Sequence, residues 1–133
     1  MTYEDFRAMV MAFPGVEEGS NHGRPSFVVR GKFLTRLRDE DQSIVLLEVG
    51  FDERDMLMEA EPETFHTTEH YRNYPSVLAR LASIHPGTVQ GLLERRWRKV
   101  ALKSAVKAWD AERGTPLPKG EGGAQAQPGR VSD

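Results

Sequence analysis

The sequence lacks cysteine altogether and contains no apolar run near 18 residues. Without cysteine, disulfides, thiolate zinc sites and cysteine nucleophiles are excluded, which suits a cytoplasmic protein. Without a long apolar run, a membrane-spanning helix is excluded too. The chain begins Met-Thr-Tyr-Glu-Asp, with acid where a signal peptide carries positive charge. These absences favour an ordinary water-soluble domain.

The length and composition predict one domain followed by a tail. A chain of 133 residues, 38% of them hydrophobic, can build a single core. Residues 114–133 are mostly Gly, Pro, Ala, Gln and charged residues, with Leu117 and Val131 as the only large apolar side chains. Such a segment cannot bury enough surface to offset its ordering entropy. We therefore predict a folded domain over residues 1–113 and a disordered tail over 114–133.

The net charge of −2 conceals a strong segregation of charge along the chain. Residues 39–69 contain eleven acids and one base, for a net charge of −10. Residues 17–38 sum to +3 and residues 86–113 to +4. The molecule should therefore be electrically two-sided, and a near-neutral total does not exclude an anionic partner. The alternative is that these charges are only solvated surfaces.

Apolar residues at helical spacing predict three helices. The first covers residues 3–13, with Thr2 as its N-cap and Pro14-Gly15 as its end. A second, short helix covers residues 53–60, capped by Asp52. The last begins at Pro86, where the missing N–H of proline costs nothing, and runs through Val100 to about residue 112.

Residues 25–49 and 76–82 alternate in hydrophobicity, which predicts antiparallel strands. A three-residue connection over residues 30–32 would place Phe27, Val29 and Phe33 on one face. The inward set is Phe27, Val29, Phe33, Thr35, Leu37, Val45, Leu47 and Val77; the outward set is Val28, Arg30, Lys32, Leu34, Arg36, Arg38, Ile44, Leu46, Leu78 and Arg80. The predicted fold is α+β: a two-layer α/β sandwich whose antiparallel sheet carries the N- and C-terminal helices on one face.

Three motifs resemble the YjbR family, also called MmcQ-type. They are Phe13-Pro14-Gly15-Val16-Glu17-Glu18; His22-Gly23-Arg24-Pro25-Ser26-Phe27-Val28-Val29-Arg30-Gly31-Lys32-Phe33; and His70-Tyr71-Arg72-Asn73-Tyr74-Pro75-Ser76-Val77-Leu78. The resemblance covers about residues 2–103. It implies the bacterial frataxin (CyaY-like) fold, and it implies DNA binding because the hairpins of the family have been likened to paired wings.

A sheet face that mixes aliphatic residues with arginine and lysine is unlike an ordinary solvent-facing surface, and we interpret it as a docking surface. The predicted nucleic-acid contacts are Arg30, Lys32, Arg36, Arg38, Arg80, Arg95, Arg98 and Lys99, with Tyr71 and Tyr74 as possible base-stacking residues. The alternatives are a protein-interaction module or homodimer that uses the same face, or a face covered by the 61–75 loop. Arg95, Arg98 and Lys99 could equally form a solvated helix surface.

No catalytic or metal-binding motif stands out. His66 and His70 are four residues apart, but the segment reads as a loop and Glu69 is not where a zinc-protease motif needs its glutamate. An iron site of the frataxin type needs closely spaced carboxylates, and the first helix offers only Glu4 and Asp5. We expect no metal and no cofactor, and a non-enzymatic protein. A small-molecule pocket near His22, His70 and Tyr71 is the least favoured alternative.

Overall fold

The fold was taken from a computed structural model, which describes residues 1–21 and 23–113. The elements are α1 (Tyr3–Met11), β1 (Val16–Asn21), β2 (Arg24–Val29), β3 (Lys32–Arg38), β4 (Ser43–Leu47), α2 (Phe51–Ala60), β5 (Phe65–His66), β6 (Ser76–Arg80), α3 (Pro86–Val100) and α4 (Lys103–Glu112). The chain divides into two compact units, Met1–Ala101 and a second that begins at Leu102. The predicted tail over 114–133 lies outside the described residues.

The six strands form one antiparallel sheet in the order β1-β2-β3-β4-β6-β5, which confirms the predicted α+β class. One ring contact ties α1 to the sheet, and a second joins the segment after α1 to α3. Phe6 of α1 meets Phe27 of β2 with ring centroids 6.0 Å apart, and Phe13 meets Trp97 of α3 at 5.6 Å. We call the side that carries Phe27 the inner face and the opposite side the outer face.

The residues before the first helix predict correctly where it begins. The hydroxyl of Thr2 accepts from the backbone N–H of Asp5, and the Asp5 carboxylate accepts from the N–H of Thr2, which together make a capping box. Strand β1 was not predicted, because Val16–Asn21 has one large apolar residue and no alternation. It forms because β2 offers it a backbone partner along its whole length.

The β2–β3 connection differs from the prediction. The turn has two residues, Arg30 and Gly31, both with positive φ (54° and 75°), which is the type I′ geometry that matches strand twist. It sets Phe33 opposite Val28, on the outer face rather than the predicted inner one. A bulge then leaves Leu34 without a partner, and Thr35 pairs with Phe27.

The bulge restores the predicted parity for the rest of β3, so Thr35 and Leu37 face inward while Arg36 and Arg38 face outward. Leu34, predicted to point outward, is fully buried. No sequence pattern predicts this bulge, because an extra residue in a strand does not alter the kinds of residue that the strand contains.

The parity of β4 was predicted the wrong way round. Leu37 pairs with Ile44, and Ile44 with Ala79, so Ile44 and Leu46 face inward while Val45 and Leu47 face outward. The four-residue connection over 39–42 fixes this register. The sequence could not reveal it, because Ile44, Val45 and Leu46 are all buried and an unbroken apolar run has no period.

The last helix does not run on to residue 112. It ends at Val100, because Ala101 (ψ 161°) and Leu102 (ψ 143°) are extended, and α4 begins at Lys103. No helix in the described part of the chain has the length and apolar content needed to cross a bilayer.

Candidate functional site

The outer face combines strand residues with a covering segment. Its strand positions follow from the register: Val28 with Phe33, Ser26 with Arg36, Arg38 with Ser43 and Arg80, Val45 with Leu78 and His66, and Leu47 with Ser76. Val45 and Leu78 are fully buried on this face. The covering segment is the loop between β5 and β6.

An open groove lies where this loop meets the strands. It encloses about 230 Å³ and is lined by Phe33, Arg36, Leu47, His70, Tyr71 and Tyr74, which we call the aromatic groove. The His70 ring stands perpendicular to Tyr71 at 4.7 Å and lies 6.2 Å from Tyr74. The Arg36 guanidinium donates to the Tyr71 hydroxyl at 3.2 Å. The groove therefore unites the two tyrosines of the third motif with a cation of the hairpin.

A buried cation beneath the loop holds it in place. Arg54 of α2 is 7% exposed. It donates to the backbone carbonyls of Tyr71, Arg72, Tyr74 and Ser76 at 2.9 to 3.4 Å. Sequence reasoning missed this residue, because an arginine on an acidic helix resembles any surface charge until the fold turns it inward.

Two of the predicted outer-face contacts are held by the protein itself. The Arg38 side chain is 13% exposed and pairs with Asp41 at 3.5 Å and Glu40 at 4.0 Å. Arg80 donates to the carbonyl of Glu63 at 3.2 Å. Both cations face outward as predicted, but acids of the 39–41 turn neutralise Arg38 locally.

The basic run of α3 is paired with acids as well. Arg95 lies 2.7 Å from Glu53, Arg98 lies 2.8 Å from Glu94, and Lys99 lies 3.0 Å from Glu48. Glu48 also accepts from Arg96 at 2.8 Å. These contacts neutralise a run that the sequence presented as strongly basic.

The pKa values of the carboxyls record this pairing. Partial burial raises the pKa of Glu48, but hydrogen bonds from Lys99 and Arg96 outweigh it and hold the pKa below its ordinary value. The hydrogen bond from Arg95 lowers the pKa of Glu53 in the same way, against the opposing effect of burial.

Four cations of the β2–β3 hairpin and of the loop between β5 and β6 have no carboxylate within ion-pairing distance among residues 1–21 and 23–113: Arg30, Lys32, Arg36 and Arg72. Arg30 and Lys32 flank Gly31 in the exposed β2–β3 turn. Lys32 pairs with Val29, which gives it inner-face parity rather than the predicted outward one, and Arg30 donates to the carbonyl of Val100 at 3.4 Å. Arg72 is exposed in the loop. Arg72 was missed by the sequence analysis, although it stands between the two tyrosines that were named. We call these four residues the unpaired cations.

The two histidines of the 66–70 segment do not come together at one site. His66 Nε2 lies 2.8 Å from the Ser43 hydroxyl and 3.6 Å from Asp41, whereas the His70 ring lies in the aromatic groove. Among the described residues no three His, Asp or Glu side chains form a potential metal cluster. His22 lies outside the described residues, so the pocket predicted beside it stays a prediction.

The strands and the loop that form the outer face lie within a region shared with a known protein family. The YjbR family model matches residues 11–99, which include β1 to β6 and most of α3. The chain belongs to the YjbR family. Uncharacterised proteins of Mycobacterium bovis and Mycobacterium tuberculosis are each 28% identical to this YjbR protein over 127 residues, which cover 85% of this chain and 98% of the relative.

A solved structure supports the fold. The crystal structure of a Deinococcus radiodurans protein with a DUF419 domain superposes with a TM-score of 0.63 at 19% identity, covering 93% of this chain and 96% of the other. At that identity the likeness extends to the fold alone. The predicted relation to bacterial frataxin stays a prediction, and the partner of this YjbR protein must be argued from its surface.

Proposed function

We propose that this YjbR protein is a small, non-enzymatic, cytoplasmic protein that binds nucleic acid, with the phosphate backbone lying along the outer face beside the β2–β3 turn. The strongest support is the group of four unpaired cations, because a cation without a local carboxylate is free to neutralise a phosphate. The acids of residues 39–69 would repel phosphates elsewhere and so confine the contact.

The unpaired cations make the proposed footprint smaller than the sequence suggested. Arg95, Arg98 and Lys99 already have carboxylate partners, so binding a phosphate there would require an existing ion pair to be exchanged. Arg30 and Lys32 lie at the β2–β3 turn, Arg36 lies further along β3 on the outer face, and Arg72 belongs to the loop that covers this face. The proposed contact therefore centres on β3 rather than on α3.

The geometry around His66 does not match a nucleophilic relay. Ser43 and Asp41 both approach the same ring nitrogen, Nε2. In a nucleophilic relay the hydroxyl and the acid bind different nitrogens of the histidine. Ser43 is moreover fully buried. We therefore assign this cluster to a side-chain link between β4 and β5 across the intervening strand β6.

Most of the aliphatic residues expected to form a protein-interaction surface are buried within the chain. Leu34, Ile44, Leu46 and Leu78 were to form its aliphatic part, and each is 1% exposed or less within the chain itself. Only Val28 of that set is half-buried. A homodimer stays a prediction, but it would have to use other residues.

Two lysine variants test the proposal in a matched way. Lys32→Ala removes an unpaired charge, and Lys99→Ala removes a charge that Glu48 already neutralises. We expect Lys32→Ala to weaken duplex DNA binding and to reduce the slope of log K against log salt by about one, with Lys99→Ala changing it much less. Fluorescence anisotropy at several salt concentrations measures both. Equal effects of the two variants, or no salt-sensitive binding at low salt, would overturn the proposal.

A further inference from the structure

We propose that the aromatic groove receives one unpaired nucleobase, so that the protein prefers single-stranded nucleic acid to a fully paired duplex. This inference rests on the proposed function and adds the part of the ligand that the groove recognises. The unpaired cations account for phosphate, but they leave the adjoining rings of His70, Tyr71 and Tyr74 without a role.

The size of the groove suits a single ring system. Its volume of about 230 Å³ is below the range of roughly 300 to 1,000 Å³ for pockets that hold drug-sized ligands. Phe33 and Leu47 come from neighbouring strands, and the three rings of the loop complete the lining. A planar base can enter such a space while its sugar and phosphate stay outside.

The chemistry of the lining matches a base face. Tyr74 is 56% exposed, which leaves much of its ring open for stacking. Aromatic side chains hold bases of any sequence, because every base has a π face. Arg36 contributes a guanidinium with five N–H donors, and its described hydrogen bonds go to the Tyr71 hydroxyl and the Leu37 carbonyl. Its remaining donors can meet a base edge or a phosphate.

Charge complementarity selects nucleic acid over an apolar peptide as the occupant. Arg36 lies in the lining itself, and Arg72 lies between Tyr71 and Tyr74 in the chain. Phosphates on either side of a bound base would therefore meet cations, whereas an apolar segment would leave those cations without a partner. In a paired duplex the base faces are stacked inside the helix and cannot reach the groove.

Hydrogen bonds within the chain tie down the loop that lines the groove. Arg54 donates to three carbonyls of the loop and to the carbonyl of Ser76 at the start of β6, and the Ser76 hydroxyl donates to the Tyr74 carbonyl at 3.3 Å. A preformed site avoids the entropic cost of ordering a loop on binding. The groove therefore has the rigidity expected of a stacking platform.

The test compares three probes at one salt concentration: a short thymidine oligonucleotide, a chain of the same length with abasic sugars, and a duplex of the same length. The abasic chain keeps the phosphate charge but has no base to stack. We expect the thymidine chain to bind roughly 5- to 100-fold more tightly than the abasic chain. We also expect it to bind more tightly than the duplex.

Three variants locate the effect. Tyr74→Ala should remove most of the preference for the thymidine chain, Tyr74→Phe should keep it, and Met56→Ala should leave it unchanged, because Met56 is also exposed (65%) but lies on α2 outside the groove. Equal binding of thymidine and abasic chains would overturn the base-binding inference and leave the phosphate contact standing. Failure of all three probes to bind would overturn both.

Discussion

Arg54 shows at the scale of one residue how the site is held. It is a buried cation whose hydrogen bonds go to four backbone carbonyls, and its guanidinium lies 5.0 Å from the centroid of the Phe51 ring. Carbonyls bonded to a charged donor lose more when that donor is removed than neutral pairs do. The residue therefore links the stability of the fold to the shape of the aromatic groove.

We expect Arg54→Met to lower the free energy of unfolding by about 2–3 kcal/mol, because four carbonyls lose their charged donor. Arg54→Lys should restore little of this, since an ammonium cannot reproduce the planar fork of the guanidinium. Urea denaturation of the three proteins measures the difference. Wild-type stability in Arg54→Met would contradict the role given to this residue.

His66 gives the fold a dependence on pH. Burial lowers its pKa, the charges of Arg80 and Arg38 lower it further, and Asp41 opposes them. The folded state therefore favours the neutral ring. Its contribution to stability is complete above the unfolded pKa of about 6.5 and is lost as the pH falls below that value.

We expect the wild-type protein to lose stability between about pH 7 and pH 5, and His66→Gln to lose less over the same interval, because glutamine cannot gain the proton. Chemical denaturation at both pH values gives the comparison. The same loss in both proteins would assign the pH effect to other groups.

At the scale of elements, the β2–β3 hairpin combines a proposed phosphate contact with backbone strain. Arg30 has φ 54°, a conformation that non-glycine residues adopt at a cost, although asparagine tolerates it. A type I′ turn prefers Asn-Gly at this position. The arginine supplies a charge to the proposed phosphate contact at the expense of the turn.

Arg30→Asn should therefore raise the free energy of unfolding by about 0.5–1 kcal/mol while weakening duplex binding. Thermal denaturation and anisotropy on the same preparation test both halves. As a control, Gly31→Ala should destabilise the protein without removing a charge, because Gly31 has φ 75°. If Arg30→Asn does not raise the free energy of unfolding, the backbone strain assigned to Arg30 is contradicted.

At the scale of the whole molecule, ion pairing decides how much of the charge is available. Eight cations were predicted to contact nucleic acid, but the pairing of Arg38, Arg95, Arg98 and Lys99 with carboxylates removes half of them. The unpaired cations include Arg72, which was not among the predicted contacts. Net charge and local runs of lysine and arginine therefore overstate the binding surface.

Neutralisation of about four phosphates predicts a slope of log K against log salt near −3.6 for duplex DNA. A surface built from all eight predicted cations would give a slope near −7. Binding measured between about 50 and 200 mM salt distinguishes these values. A slope close to −7 would show that the ion pairs of α3 open on binding.

The sequence alone determined the features that depend on neighbours in the chain. The capping box at Thr2, the stripe of α3 after Pro86, the strand character of residues 25–49 and the family motifs all rest on local spacing. The outward direction of Arg36 and Arg38 was also correct, although it results from a shorter turn followed by a bulge.

Only the tertiary structure decided the features that depend on contacts between distant segments. The bulge at Leu34, the register of β4 and the edge strand β1 depend on partner strands that no local pattern identifies. The same holds for the pairing of Lys99 with Glu48, which is 51 residues away, and for Arg54 beneath the loop. Composition fixes how many charges a chain carries, but folding determines which of them remain free to bind.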